Sequence, residues 1–308
     1  MNITILGTGA YGLALSSMFL ENNCKVTMWT PIKDEYEILV KERVNTKVLP
    51  EYKISEQINI TTDLEGAIKN ANIIVVAIPV KFVTNVIMEV SKFYKKSQHI
   101  CIASKGIEQG SCLFIASIIK KHIKTKKLCV ISGGTFAVDI IKKVPIGLSL
   151  ATNNKSTISI MKKTLENNYL KLTTTNDIFG VEMYGAIKNV IAIASGMIDG
   201  LGYPESTKCM FVTKALNDIV ELIYQLGGNK KTILTYAGIG DLLLTCNSIK
   251  SRNYSFGFMI GSGESKEKIE EYKSNTTIEG LYTLKSVYDL IKRKNIKMSI
   301  IKIIYDIV

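Results

Sequence analysis

Residues 2 to 20, NITILGTGAYGLALSSMFL, impose the strongest constraint on what this chain can fold into. A short apolar strand pattern runs into three glycines spaced G-x-G-x-x-G (Gly7, Gly9, Gly12), and an apolar helical pattern follows at once. The first glycine allows a tight turn, and the second lets the backbone approach a pyrophosphate. The third lets the helix pack closely on the strand, and the phosphates then sit at the helix N-terminus. Alone, this spacing is a weak signal. At the head of a strand–helix–strand series it predicts dinucleotide binding.

That series is present. NITIL (2–6), KVTMW (25–29), INIT (58–61), IIVVAIP (73–79), HICIAS (99–104), KLCVIS (127–132) and IGLSLA (146–151) are strand candidates, with LKLTTT (170–175) as one more. Nearly all are unbroken apolar runs, as in strands covered on both faces, and helical patterns separate them. Such alternation predicts right-handed crossovers and a doubly wound, Rossmann-type, mainly parallel sheet. After Thr175 the pattern becomes helical over 177–199, 206–227, around 238–246, 253–262, 276–293 and 298–307. The fold class is therefore α/β followed by an all-α C-terminal domain. The expected division is 1–176 for a dinucleotide-binding domain and 177–308 for a helical substrate and catalytic domain.

Composition excludes several classes of function. The chain is 46% hydrophobic and 21% charged over 308 residues, ordinary for about two globular domains. No apolar run in the sequence reads as the roughly 20 residues of a membrane span, and strand character from Asn2 leaves no room for a signal peptide. A cytoplasmic protein without membrane insertion is expected. Cys24, Cys101, Cys112, Cys129, Cys209 and Cys246 show no paired spacing, so free thiols are expected rather than a metal site or a disulfide framework. His99 and His122 are the only histidines, which makes histidine a poor candidate proton carrier. The net charge of +12 suits anionic partners. Its lysines are dispersed, with no basic tract interleaved with aromatics, which argues against nucleic acid. Only three arginines occur, Arg43, Arg252 and Arg293, so each deserves scrutiny for a role needing a planar fork.

Lys188 stands inside the most apolar stretch of the chain, where only it and Asn189 are polar between Ala186 and Ala194. No carboxylate lies one turn away to pair with it. Either its stem carries the ammonium to the surface, or it is buried and finds a negative partner elsewhere. Asp241, between glycines and the run Leu242-Leu243-Leu244, is the natural partner. Lys105 ends a strand pattern, which fits either a ligand cation or an ordinary exposed loop lysine. Gly133 to Ala137 form a small-residue turn at a helix start. Ser251-Arg252-Asn253 gathers a planar cation and two hydrogen-bonding side chains, suited to a phosphate or to a helix cap. After KVTMW no acidic residue stands in easy reach of a ribose, and Lys33 could meet a 2′-phosphate, so NAD and NADP both remain open.

With these residues in view, the chain resembles the NAD(P)-dependent glycerol-3-phosphate dehydrogenases. The match runs through GTGAYG, ASKG, SGGTFA, GAIKNVIAIASGMIDGLG, GIGDLLLTC, SRN and TIEG, in that order. The resemblance implies a two-domain homodimer that interconverts dihydroxyacetone phosphate and sn-glycerol 3-phosphate with NAD or NADP, supplying phospholipid synthesis. It implies Lys188 as proton donor and acceptor, with Asp241 beside it. Substrate contacts would come from Lys105, Gly133, Thr135, Lys188, Asp241, Thr245, Ser251, Arg252 and Asn253. Cofactor contacts would come from Gly7, Gly9, Ala10, Tyr11, Gly12, Lys105, Ala137, Arg252 and Glu279. The chain departs from the family at Gly134, usually proline, and at Pro31, often His or Arg. It departs again at Pro204 and Ser206, and it ends sooner than most relatives.

The expected mechanism has the phosphate clamped by Arg252 and the carbonyl beside Lys188, with Asp241 orienting the lysine. Two rivals are another hydride-transferring enzyme of the same architecture and a non-catalytic dinucleotide sensor. A substrate panel separates the first. Tight cofactor binding without turnover would identify the second.

Overall fold

A computed structural model describes Met1 to Val308. The chain divides into two compact units. The first comprises Met1–Ser104, Ile115–Ile131 and Thr135–Ile178. The second comprises Lys105–Phe114, Ser132–Gly134 and Phe179–Val308. The division differs from a single cut at 176. Two short segments, each following a strand of the sheet, cluster with the helical half, a grouping set by long-range packing that no local pattern encodes.

The first unit is built on eight strands: β1 (Asn2–Leu6), β2 (Lys25–Trp29), β3 (Asn59–Thr61), β4 (Ile73–Val76), β5 (His99–Ile102), β6 (Leu128–Ser132), β7 (Ile146–Ala151) and β8 (Leu170–Thr175). They stand in the order β3-β2-β1-β4-β5-β6-β7-β8. β1 pairs in parallel with both β2 and β4, and the pairs β2–β3, β4–β5, β5–β6 and β7–β8 are parallel as well. Helices α1 (Ala10–Glu21), α2 (Lys33–Glu42), α3 (Leu64–Lys69), α4 (Val80–Phe93), α5 (Ile115–His122), α6 (Ala137–Ile141) and α7 (Lys155–Leu165) connect them. The unbroken apolar runs are buried throughout, as in β4 and β5, because helices cover both faces. Several strands are shorter than their apolar runs. β4 stops at Val76, opposite Leu6 where its partner β1 ends, and Pro79 then precedes α4.

The second unit holds α8 (Ile178–Gly200), α9 (Glu205–Gln225), α10 (Asp241–Cys246), α11 (Arg252–Gly261), α12 (Lys266–Asn275), α13 (Glu279–Arg293) and α14 (Ser299–Ile307). α8 is buried continuously from Gly180 to Met197. By length and mean hydropathy, 1.3, this helix could cross a membrane, contrary to the reading that no run approached a span. Yet 83% of its most apolar 18-residue window is buried inside the protein, as a central core helix must be. Glycines set its closest neighbour. A Cβ on Gly196 or Gly200 would lie 2.0 or 2.4 Å from carbonyl oxygens of α11. One on Gly257 or Gly261 would lie 1.8 or 2.2 Å from carbonyl oxygens of α8. Only glycine permits that approach, which fixes α11 against α8.

α12 was not expected. Its sequence, KEKIEEYKSN, has no apolar stripe and no fully buried residue. It is held by its Ser265 cap, by the pairs Lys268–Glu264 and Lys273–Glu270, and by Ile269 and Tyr272, which pack partly buried against the cluster of Ile193, Met197, Phe256 and Ile278. The expected helix over 276–293 accordingly begins later, at Glu279.

Candidate active site

In the second unit, Lys188 and Asp241 are buried together, 9% and 1% exposed. Lys188 Nζ donates to Asp241 Oδ1 at 2.5 Å and to Thr245 Oγ1 at 2.8 Å. Lys105 Nζ donates to the other carboxylate oxygen, Oδ2, at 2.6 Å, with its side chain 18% exposed. One carboxylate thus holds two ammonium groups. The snorkelling reading of Lys188 and the exposed-loop reading of Lys105 both give way to this arrangement.

Local structure explains why the three groups meet. Apolar residues on every side of α8 leave Lys188 no solvent-facing stripe. Asp241 opens α10 directly after a π-type turn over Tyr236–Gly240, which Gly238 makes possible: a Cβ there would lie 2.4 Å from the Ile233 carbonyl oxygen. A carboxylate in a first helical turn is favoured by the helix dipole. Thr245, one turn further along α10, donates to the Asp241 carbonyl at 2.6 Å, leaving its oxygen to accept from Lys188. Gly134 packs on the same turn. A Cβ on Gly134 would stand 2.5 Å from the Gly240 carbonyl oxygen and 3.1 Å from Asp241 N. In this chain, glycine at that position is therefore a packing requirement as well as a departure from proline.

Electrostatics follow from burial. Burial penalises the Lys188 ammonium, Asp241 partly restores it, and Lys105 opposes it, so its pKa falls from 10.5 to about 8. For Asp241, burial pushes the carboxyl up, but Lys105 and Lys188 outweigh that and hold it below 3.8. The result is an anchored anion beside a lysine able to give up and regain a proton near neutrality.

The other expected residues of this unit sit as follows. Ser251 is buried and caps α11, its hydroxyl accepting from Tyr254 N at 3.3 Å. Arg252 is the exposed first residue of that helix. Asn253 is buried, and its side-chain Oδ1 accepts from Gly280 N at 2.8 Å. This pins the start of α13, where Glu279 accepts from Asn189 Nδ2 at 3.2 Å. Cap and ligand roles remain compatible, because the Ser251 hydroxyl hydrogen and the Asn253 amide hydrogens are not used in those bonds. Of the other arginines, Arg43 donates to the carbonyls of Ser55 and Ile58, and Arg293 donates to that of Gly110. Their forks fasten backbone, which leaves Arg252 as the arginine suited to an anion.

Asn189 was not singled out as a site residue. It is buried next to Lys188 and links α8 to Glu279. Being the other polar residue of that apolar stretch was the signal that could have found it. Ser132, buried and with Oγ 3.5 Å from Asp241 Oδ2, had no comparable signal.

In the first unit, Gly7 takes φ +113°, and a Cβ on it would lie 2.5 Å from the Ala77 carbonyl oxygen. A Cβ on Gly12 would lie 2.8 Å from the Gly7 carbonyl oxygen, the close helix–strand packing expected of a third glycine. Gly9 is exposed and starts α1 with no side-chain cap, and a Cβ on it would meet nothing within 4 Å. This leaves N–H groups and an open backbone face where a pyrophosphate would lie, so the residues fit a dinucleotide. Ala10 and Tyr11 open α1, and Ala137 opens α6. All three are partly buried against the same core. Thr135 is half-buried just before α6. His99 is buried and shares a 2.9 Å hydrogen bond with Thr157 Oγ1, and its pKa is lowered by burial. Five of the six cysteines are buried free thiols, and Cys209 is exposed.

Known proteins share this organisation. The family model for the NAD-dependent glycerol-3-phosphate dehydrogenase N-terminus matches residues 2–158, and that for the C-terminus matches residues 177–308. Glycerol-3-phosphate dehydrogenase, NAD(P)+, of Staphylococcus aureus (strain NCTC 8325 / PS 47) is 36% identical over 307 residues, covering 98% of this chain and 92% of the relative. The protein of the same name from Staphylococcus saprophyticus is 33% identical, covering 99% and 92%. The crystal structure of glycerol-3-phosphate dehydrogenase from Coxiella burnetii has a TM-score of 0.93 at 28% identity, covering 99% of this chain and 94% of that one. With both halves matched in order and this identity sustained over nearly its full length, the chain belongs to the NAD-dependent glycerol-3-phosphate dehydrogenase family.

Proposed function

We propose that this chain interconverts dihydroxyacetone phosphate and sn-glycerol 3-phosphate with NAD or NADP, and that its product feeds glycerophospholipid synthesis. The observation that carries the reading is the buried lysine pair on Asp241. It supplies a fixed anion and a lysine titrating near neutrality, which a carbonyl reduction needs and a structural core does not.

Residues 1–176 serve the dinucleotide and 177–308 the substrate, with Lys105, Gly133 and Gly134 contributed to the second role. Gly7, Gly9, Ala10, Tyr11, Gly12, Lys105, Ala137, Arg252 and Glu279 hold the dinucleotide. When reduced and bound, it supplies the hydride. Arg252 receives the substrate phosphate through its planar fork, while the Ser251 hydroxyl and the Asn253 amide donate to the same group. Gly133 and Thr135 lie along the substrate. Thr245 and Asp241 aim Lys188 at the carbonyl oxygen. Lys188 stabilises the negative charge developing there and gives that oxygen its proton. Burial above all, and Lys105 on the far oxygen of Asp241, keep Lys188 from being too basic to release it.

The active form is a homodimer in the cytoplasm. Exposed Leu201, Tyr203 and Met210, around the α8–α9 corner and on α9, support an interface there. Light scattering of the purified protein tests the assembly.

The activity is tested by the absorbance of reduced nicotinamide with dihydroxyacetone phosphate, for the wild type and Lys188→Ala. Rapid loss of absorbance that the variant lacks is expected. Cofactor binding without turnover, or a fully active variant, would overturn the reading.

A further inference from the structure

The carboxyl end of β2 is where a doubly wound sheet meets the adenosine ribose of a dinucleotide. The residues that follow it directly, Thr30-Pro31-Ile32-Lys33, include no acid. The fold brings one from the next helix. Glu35, in the first turn of α2, turns its carboxylate back to the strand end. Its Oε2 accepts from Thr30 Oγ1 at 2.6 Å, and its Oε1 accepts from Asn45 Nδ2 at 3.3 Å. Asn45 is buried, and the same Nδ2 donates to the carbonyl of Thr8 at 3.2 Å, inside the glycine turn. Hydrogen bonds thus join the glycine turn, the end of β2 and the start of α2, with a carboxylate among them.

Three features give that carboxylate a role beyond a helix cap. Glu35 is half-buried, so it is held in place yet reachable. A carboxylate has about four acceptor positions, and the bonds from Thr30 and Asn45 occupy two. The remaining positions suit hydroxyl donors and oppose a phosphate dianion. Arg43, at the C-terminal end of the same helix, is engaged elsewhere: its guanidinium donates to the Ser55 and Ile58 carbonyls and pairs with the Glu56 carboxylate at 3.5 Å. We propose that Glu35 sets cofactor specificity: it accepts from the adenosine ribose hydroxyls and repels a 2′-phosphate, so the protein takes NAD(H) in preference to NADP(H). The assignment rests on the dinucleotide reading above and resolves the choice that residues 30–33 leave open.

The test is equilibrium binding of NADH, NADPH and 2′-deoxy-NADH to the full-length, nucleotide-free protein without substrate, followed by nucleotide fluorescence. A lost hydrogen bond to a charged acceptor corresponds to about tenfold in affinity. The wild type is therefore expected to favour NADH over NADPH by about tenfold or more, and to lose about tenfold with the 2′-deoxy compound. Glu35→Gln is expected to bring both ratios to within about threefold, because the charge and the strong acceptor are gone. Weakening of all three nucleotides together, with the ratios unchanged, would show a purely structural role and overturn the proposal. If Glu35→Gln does not fold, the wild-type ratios decide: equal binding of NADH and its 2′-deoxy form, or no preference over NADPH, overturns it. Failure of the wild type to bind either NADH or NADPH would instead overturn the dinucleotide reading itself.

Discussion

Lys188 and Lys105 are bound to opposite oxygens of a single carboxylate, Asp241, at 2.5 and 2.6 Å. The two cations come from a core helix and from the segment after β5, residues far apart in the chain. Neither could be buried at that spot without the shared anion.

Asp241→Asn should therefore cost more than a hydrogen bond. Removing the anion leaves two mutually repelling, largely buried ammonium groups, a loss of about 3–5 kcal/mol by analogy with broken buried pairs. Urea unfolding at neutral pH measures it, and a loss under about 1 kcal/mol would contradict the account. The wild-type pH dependence has a defined sign. Because the folded carboxyl titrates below 3.8, its contribution is present above that value and disappears as acid takes the pH through the lower folded value.

The depressed pKa of Lys188 predicts opposite pH profiles for the two reaction directions. Ketone reduction needs the ammonium, so its kcat should be level below about pH 8 and fall above it. Alcohol oxidation needs the free amine and should rise through the same region. For stability, the unfolded lysine binds more protons between about 8 and 10.5, so this group's contribution grows with pH across that window. Initial rates in both directions from about pH 6 to about pH 10 check the assignment. A reduction rate still flat well past pH 8 would refute it.

Gly134→Ala should be destabilising, because its Cβ would be forced to within 2.5 Å of the Gly240 carbonyl oxygen. Overpacking of this kind costs about 1–3 kcal/mol, and here it displaces the turn that presents Asp241, so kcat should fall as well. Gly185→Ala is the control. Its Cβ would meet Ser132 Oγ and Lys105 Cδ at 3.4 and 3.6 Å, ordinary contact distances. Thermal melting of both variants separates them, and equal melting temperatures would dismiss the packing argument.

Arg252→Ala should raise KM for the phosphorylated substrate by about tenfold to a hundredfold, the loss expected of a charge-assisted bidentate contact. Its kcat should change far less. Comparing dihydroxyacetone with its phosphate gives the decisive ratio. If the variant still discriminates as the wild type does, the phosphate is held elsewhere.

Some of this was legible before any fold was known. Unbroken apolar runs betrayed the strands, because a strand covered on both faces buries nearly every side chain it carries. The strand–glycine–helix opening announced its own turn, since φ +113° at Gly7 and the tight approach at Gly12 demand glycine locally. An apolar circumference marked α8 as a core helix, and Lys188 stood out against it. Other features depended on contacts between distant segments. Local sequence left Lys188 and Lys105 each with two readings, and only their meeting at Asp241 decided both. α12 was not legible because Ile269 and Tyr272, its two packed side chains, are too few among charged neighbours to make a hydrophobic period. The Gly134 requirement comes from a carbonyl over a hundred residues away. No local pattern marks Glu35, whose carboxylate meets Thr30 and Asn45 only through the turn after β2. Periodicity and turn chemistry act over a few residues and so are written in the sequence. Burial of charge and close backbone approach arise only when distant segments meet, and there the tertiary structure decided.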